Sequence, residues 1–174
     1  MKILNVGCGE DKYGSDRIDK IESKNTTCVQ DIEEIGLPYK DNEFDEVYSR
    51  CVLEHMKNPF NLILEMKRVC KPNGKIIVIT DNAFWIQRHE HGFTNFPEYS
   101  GSDKHYYLFH YSHLKNLFEE AGIKVIDGGY KEFECFPQEK GLSSTSLKSK
   151  LFRKFICFFS KRKGSPHVWI RGTK

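Results

Sequence analysis

The first ten residues combine an apolar segment with two closely spaced glycines. Residues 2–6 have the composition of a buried strand, and Gly7 and Gly9 follow that segment directly. Because glycine has no Cβ, a Gly-x-Gly turn lets the backbone reverse sharply and lets a ligand lie against the main chain. The pattern predicts a central strand of a sheet that leads into a ligand-binding loop.

A carboxylate stands ten residues beyond the second glycine. Asp19 ends the segment 17–19, which we predict to be the second strand. A carboxylate at the tip of this strand can accept hydrogen bonds from the two neighbouring hydroxyls of a ribose. The combination indicates a cofactor that contains a nucleoside.

The spacing of the same segment disfavours a dinucleotide. The dinucleotide fingerprint has a third glycine, a helix whose N-terminus faces the pyrophosphate, and a ribose-binding acid about 20 residues further on. Here Lys12 occupies the position of the third glycine, and residues 10–16 are too few for a crossover helix of ordinary length. A cofactor with a ribose and no phosphate fits better, and S-adenosylmethionine is the common one.

Further segments follow in a characteristic order. Residues 29–32 read as a short strand ending in an acid, residues 44–55 as a strand followed by Leu-Glu-His, and residues 68–79 as a helix end that leads into a β-branched strand. Together with the Gly-Cys-Gly loop, they resemble the class I S-adenosylmethionine-dependent methyltransferases, in particular the type 11 branch and its subset with a short first loop. The resemblance covers residues 2–82 closely and 105–128 more loosely.

This resemblance implies a fold and a cofactor site. The fold is α/β and Rossmann-like, with a mostly parallel sheet, an antiparallel last strand and helices on both faces. The residues implied to hold S-adenosylmethionine are Gly7, Cys8, Gly9, Asp19, Asp31, Ile32, Ser49 and Arg50. Asp31 would contact the adenine, although its carboxylate also suits the N-cap of a helix that starts directly after it. At Ser49 and Arg50 we expect backbone contacts.

His55 is the candidate catalytic residue, because it follows the fourth strand and a histidine pKa near 6.5 suits a general base. Positioning contributes most to methyl transfer, so a dedicated base need not exist and His55 could simply pack or cap. His105 and Tyr106 are weaker alternatives within the aromatic and histidine-rich segment 84–111, which we predict to cover the acceptor. The histidines of this segment show no recognised ligand spacing, so no metal is predicted.

Length and composition predict a single methyltransferase-like domain over residues 1–174. Hydrophobic residues make up 39% and charged residues 29%, and no apolar run approaches the roughly 20 residues that span a bilayer. The six cysteines include no C-x-x-C pair, and the first residues read as a strand and not as a secretory signal. These features favour reduced thiols and a cytoplasmic location.

Charge is distributed unevenly along the chain. Nine of the 27 basic residues and none of the 24 acidic residues lie in residues 141–174. We predict a basic insertion at 137–165 between the last two strands, and within it residues 147–163 have the pattern of an interfacial helix. This segment is expected to contact a membrane surface, a second subunit or the protein's own acidic body. No nucleic-acid partner is expected, because its aromatic residues do not form a stacking platform in a basic groove.

The sequence therefore predicts methyl transfer from S-adenosylmethionine to an unidentified small-molecule or glycan-type acceptor. A second interpretation is a degenerate methyltransferase fold that serves as a binding or scaffold subunit without catalysis. The shortened first loop and the lack of an N-terminal helical lid over the cofactor motivate this alternative.

Overall fold

A computed structural model describes residues 1–84, 104–131, 165 and 167–174. Within these residues the strands are β1 Ile3–Val6, β2 Asp16–Asp19, β3 Cys28–Val29, β4 Phe44–Arg50, β5 Cys70–Asp81, β6 Lys124–Lys131 and β7 His167–Thr173. The helices are α1 Ile32–Ile35, a 3₁₀ helix Leu53–His55, α2 Pro59–Val69 and α3 Tyr111–Glu120.

All seven strands belong to one sheet, in the order β3-β2-β1-β4-β5-β7-β6. Strand β7 is antiparallel to both of its neighbours, and the other pairs are parallel. This arrangement confirms the mostly parallel sheet with an antiparallel last strand. Strand β4 occupies the centre, and β1 lies one place from it. The carboxyl ends of the parallel strands meet at one edge, which is where ligands bind in open α/β sheets.

One face of the sheet forms the main core. Leu4, Val47 and Ile76 lie in register on neighbouring strands, and all three are fully buried. Met66 of α2 and Phe118 of α3 are fully buried in the same cluster, so both helices pack on this face. Each such side chain contributes roughly 1.5–3 kcal/mol on burial, which makes this layer the main source of stability.

The opposite face is more polar near β1 and β4. Asn5 and Tyr48 are register neighbours there, and Tyr13 packs edge-on against Tyr48 with the ring centroids 5.0 Å apart. The Tyr13 hydroxyl donates a hydrogen bond to the Glu46 carboxylate. Residues 7–15 contain no helix, as their number predicted, so a loop covers this part of the sheet. The described helices that pack on the sheet lie on the core face.

The third strand is shorter than the sequence suggested. Strand β3 ends at Val29, and Asp31 instead caps α1, since its Oδ1 accepts a hydrogen bond from the Glu33 amide at 3.0 Å. Ile32 is consequently the first residue of a helix and not part of a strand. The alternative assignment of Asp31 as a helix cap is the correct description of its backbone setting.

Helix α3 begins directly after His110, which is its N-cap residue. The Ser112 hydroxyl lies 2.6 Å from Nδ1 of His110. After the helix, Gly122 has φ +67°, and the Ile123 amide donates to the Phe118 carbonyl at 2.8 Å. Such a pattern ends a helix through a left-handed glycine.

Arg68 of α2 holds the loop that precedes β4. Its guanidinium donates to the carbonyl oxygens of Leu37 and Tyr39, each at 2.8 Å. It also donates to the carboxylates of Asp41, at 2.8 Å, and Glu65, at 2.7 and 2.8 Å. The planar guanidinium of arginine can donate hydrogen bonds to all four of these residues at once, whereas the ammonium of lysine cannot.

Replacing Arg68 by methionine should lower the free energy of unfolding by about 1–3 kcal/mol. The Leu37 and Tyr39 carbonyl oxygens would lose a charged donor, while the aliphatic packing of the side chain would remain. Urea denaturation followed by circular dichroism measures the change. Arg68→Lys should recover only part of the loss, and an unchanged denaturation midpoint in Arg68→Met would contradict this role.

Several predicted features lie outside the described residues. They are the greater part of the 84–111 segment, the 137–165 insertion apart from Ser165, and the whole basic stretch 147–163. Where the chain is described, none of its helices is both long and apolar enough to cross a bilayer. Cys8, Cys28 and Cys70 carry free thiols.

Candidate cofactor site

The glycine loop after β1 has the backbone shape that only glycine adopts easily. Gly7 and Gly9 have φ angles of +70° and +51°. The amides of Gly7 and Cys8 both donate to the Ile18 carbonyl, at 2.8 and 3.1 Å, which ties the loop to β2. A Cβ on Gly7 would lie 2.1 Å from Cγ2 of Val52, whereas a Cβ on Gly9 would meet nothing within 4 Å. Gly7 is therefore required by packing, and Gly9 borders open space.

Asp19 joins this loop to the end of β2. Its Oδ2 accepts a hydrogen bond from the Gly9 amide at 2.8 Å, and its Oδ1 accepts one from the Ile21 amide at 3.0 Å. The two bonds fix the orientation of the carboxylate. Each oxygen retains a further lone pair, so the group can still accept hydrogen bonds from a ligand.

A cavity lies beside the loop and Asp19. Its volume of about 580 Å³ is typical of small-molecule sites. Its lining includes six of the residues singled out in the sequence, namely Gly7, Gly9, Asp19, Asp31, Ile32 and His55. Only Oδ1 of Asp31 takes part in the helix-capping hydrogen bond. Its other carboxylate oxygen, Oδ2, can accept a hydrogen bond from a ligand, so capping and ligand binding are compatible.

Acidic side chains outnumber basic ones in the lining of this cavity. The carboxylates are Glu10, Asp19, Glu22, Asp31 and Glu33, and Lys20 is the basic residue among the lining side chains. A negative potential attracts cationic groups and repels phosphates. The electrostatics, like the spacing in the sequence, disfavour a dinucleotide and suit the sulfonium and ammonium groups of S-adenosylmethionine.

Three of the expected residues do not present their side chains to this cavity. Cys8 is buried with its Sγ 3.8 Å from the Thr26 hydroxyl. Ser49 is 1% exposed and lies in register with Val6 on the core face. Arg50 lines a second cavity of about 740 Å³ that adjoins the same glycine loop. For Ser49 and Arg50, the expected backbone contacts stay a prediction.

His55 lies at the end of the 3₁₀ helix, on the wall of the 580 Å³ cavity. Its Nδ1 is 3.2 Å from the Lys104 carbonyl oxygen, which can only accept a hydrogen bond. Nδ1 therefore carries the proton in the neutral ring, and Nε2 carries the lone pair. The His55 ring meets the His105 ring edge-to-face, with the centroids 4.5 Å apart.

Glu54 is a residue of this region that the sequence analysis did not single out. Its side chain is 1% exposed, and Oε2 accepts a hydrogen bond from the Thr80 hydroxyl at 2.6 Å. Within the described part of the chain, Oε1 has no hydrogen-bond partner. Burial, and after it the charge of Asp81, raises the pKa of Glu54 above its ordinary value. The signal in the sequence was a carboxylate between an apolar residue, Leu53, and the candidate catalytic residue, His55.

Comparison with known families supports the resemblance seen in the sequence. Residues 12–78 match the model of the type 11 family, described as a methyltransferase domain. This match supports a class I methyltransferase of the type 11 branch.

The relatives of the chain match it over different lengths. Demethylmenaquinone methyltransferase of Bacillus mycoides is 25% identical over 142 residues, which are 80% of this chain and 57% of that protein. The ubiquinone/menaquinone biosynthesis C-methyltransferase of Cupriavidus necator is 34% identical over 74 residues, or 42% of this chain and 30% of that protein. Our chain therefore spans between 30% and 57% of the length of the curated relatives it matches.

A solved structure confirms the fold of the chain. The S-adenosylmethionine-dependent methyltransferase of Thermotoga maritima superposes with a TM-score of 0.65 at 18% identity. The superposition covers 99% of this chain and 82% of that one. With the seven-strand order above, it establishes the Rossmann-like methyltransferase architecture.

Proposed function

We propose that the chain binds S-adenosylmethionine in the 580 Å³ cavity and transfers its methyl group to a small-molecule acceptor. The observation that carries this proposal is the coupling of the Gly9 amide to the Asp19 carboxylate on the wall of one acidic cavity. Asp19 would accept from the ribose hydroxyls, and Asp31 and Ile32 would flank the adenine. The remaining wall, at Cys51, Val52 and His55, would face the sulfonium and the acceptor.

The proposed reaction is an in-line displacement. A nucleophilic atom of the acceptor forms a bond to the methyl carbon while the carbon–sulfur bond breaks. The electron pair of that bond stays on sulfur, S-adenosylhomocysteine is released, and a neutral acceptor also loses a proton. Holding the two reactants in line supplies most of the rate acceleration in such a reaction, so the chain mainly has to position them.

The residues next to His55 support an acceptor site at this end of the cavity. The Tyr106 amide donates to the Glu54 carbonyl at 2.8 Å, and the Tyr107 hydroxyl donates to the Lys57 carbonyl at 3.0 Å. These bonds bring part of the predicted 84–111 cover against the 3₁₀ helix. The cover as a whole, and the use of His55 in catalysis, remain parts of the proposal.

A small-molecule acceptor is favoured over a macromolecule by the relatives. One is named for the methylation of demethylmenaquinone, and another for ubiquinone and menaquinone biosynthesis. Because both are matched over a limited share of their length, we propose the acceptor only as a small molecule, with a glycan-type acceptor as the alternative.

Transfer of a labelled methyl group tests the proposal. The full chain is incubated with methyl-labelled S-adenosylmethionine and with fractionated small-molecule and glycan extracts. We expect label to enter one fraction together with equimolar S-adenosylhomocysteine, and Asp19→Ala to abolish this transfer. His55→Ala should reduce the transfer rate more than the affinity for S-adenosylhomocysteine. Tight cofactor binding without label in any fraction would instead favour the scaffold alternative.

A further inference from the structure

Glu54 and His105 lie next to His55, which lines the cavity proposed for the acceptor. One potential ligand atom from each side chain lies within 4.8 Å of the other two. Glu54 is 1% exposed and the His105 side chain 7% exposed, while His55 lies on the cavity wall. Two imidazoles and one carboxylate are a ligand set of catalytic zinc sites, which keep a fourth position open.

The Glu54 carboxylate has one buried oxygen that receives no hydrogen bond from the described residues. Its Oε2 accepts from the Thr80 hydroxyl at 2.6 Å, but Oε1 has no hydrogen-bond partner among the residues that the structure describes. A buried acceptor without a partner costs free energy, and an ionised one costs more. A cation next to His55 and His105 would satisfy this oxygen.

Hydrogen bonds hold the two segments that carry these side chains. The Tyr106 amide donates to the Glu54 carbonyl at 2.8 Å, so the residue that follows His105 is fixed to the 3₁₀ helix. Nδ1 of His55 contacts the Lys104 carbonyl at 3.2 Å. Histidines that bind metals usually donate their other ring N–H to a carbonyl or a carboxylate in this way, which orients the ring and directs Nε2 to the ion.

We propose that Glu54, His55 and His105 bind a divalent transition-metal ion, with zinc as the best match to the ligand set. The ion would lie where the acceptor is expected, with its open position available to water or to an acceptor oxygen. Its catalytic use rests on the proposed function, and His55 would then act as a ligand and not as a base. Binding of the ion itself is independent of S-adenosylmethionine.

A second trio of side chains lies close by. Cys51, Asp81 and His167 also bring ligand atoms within 4.8 Å of one another, and Asp81 Oδ2 is 3.8 Å from Nδ1 of His105. We assign the ion to the Glu54 trio because the buried oxygen without a hydrogen bond belongs to Glu54. Asp81 would then stand behind His105, as carboxylates often do behind ligating histidines.

Titration of the metal-free full chain with Co²⁺, followed by visible absorption, tests the assignment, with Zn²⁺ added afterwards as a competitor. We expect one equivalent of Co²⁺ to give the absorption bands of a four- or five-coordinate site and Zn²⁺ to displace it. Glu54→Gln and His105→Ala should each weaken metal binding at least tenfold. Mutating a residue that only supports a metal ligand already lowers metal affinity by about 10–100-fold, so loss of a ligand should cost at least the lower figure. His113→Ala, which removes an exposed histidine, and His167→Ala should leave binding unchanged.

Three results would overturn the proposal. They are no stoichiometric binding by the full chain, unchanged binding in both Glu54→Gln and His105→Ala, and loss of binding in His167→Ala but not in His105→Ala. Circular dichroism checks that each variant is folded, and His55→Ala replaces Glu54→Gln if that variant does not fold. Binding of S-adenosylhomocysteine is measured on the same preparation, so failure of the metal site is distinguishable from failure of the cofactor site.

Discussion

Replacing Asp19 by alanine should weaken the binding of S-adenosylhomocysteine by at least about 100-fold. The carboxylate is proposed to accept from two ribose hydroxyls, and each hydrogen bond to a charged group is worth roughly 1.5–3 kcal/mol. The variant also leaves the Gly9 and Ile21 amides without their acceptor, so the loop loses its support from β2. Asp19→Asn keeps one acceptor oxygen and should show an intermediate loss in titration calorimetry.

Asp16→Asn provides a matched control on the same strand. Asp16 begins β2, at the opposite end from Asp19, and its carboxylate lies 3.8 Å from the Lys2 ammonium and 2.9 Å from the Ser15 hydroxyl. Asp16 does not line the 580 Å³ cavity. The Asp16→Asn variant should therefore bind S-adenosylhomocysteine with the affinity of the parent chain. Equal affinity in Asp19→Ala and the parent chain would contradict the ribose assignment.

Gly7→Ala should lower the free energy of unfolding by about 2–5 kcal/mol. The backbone at φ +70° costs an L-residue roughly 1–2 kcal/mol. The new Cβ would also lie 2.1 Å from Cγ2 of Val52, and overpacking of this kind costs about 1–3 kcal/mol more. Urea denaturation measures the sum.

Gly9→Ala is the paired variant, because it shares the backbone strain without the clash. Its Cβ meets nothing within 4 Å, so only the cost of the positive φ, about 1–2 kcal/mol, should appear in stability. The added methyl would project into open space beside Asp19 and should weaken cofactor binding instead. Adding Val52→Ala to Gly7→Ala should restore part of the lost stability. Equal destabilisation by the two glycine substitutions would show that Val52 does not limit the loop.

The parts of the molecule that follow from local pattern could be predicted. Strand β4, at Phe44–Arg50, lies within the segment 44–55 that was predicted to begin with a strand. The glycine conformations and the place of Asp19 at the end of β2 were also correct, since a missing Cβ and a strand-end acid act within a few residues. The lack of a helix in residues 7–15 followed directly from their number.

The parts that depend on distant contacts could not be predicted in the same way. Asp31 was placed in a strand, although the acidic pair after it begins a helix that it caps. Glu54 and His105 are about fifty positions apart in the sequence, and only the folding of residues 104–107 onto the 3₁₀ helix brings their side chains together. Spacing rules for metal ligands do not detect such a pair.

Titration calorimetry of the full chain with S-adenosylhomocysteine, in parallel with NAD, is the most direct test of the cofactor assignment. We predict one molecule of S-adenosylhomocysteine per chain with micromolar affinity. NAD should not bind measurably, because the loop offers its pyrophosphate no helix N-terminus in residues 7–15 and the cavity lining holds five carboxylates against one lysine. Binding of NAD in preference to S-adenosylhomocysteine, or no binding of S-adenosylhomocysteine at all, would contradict the assignment.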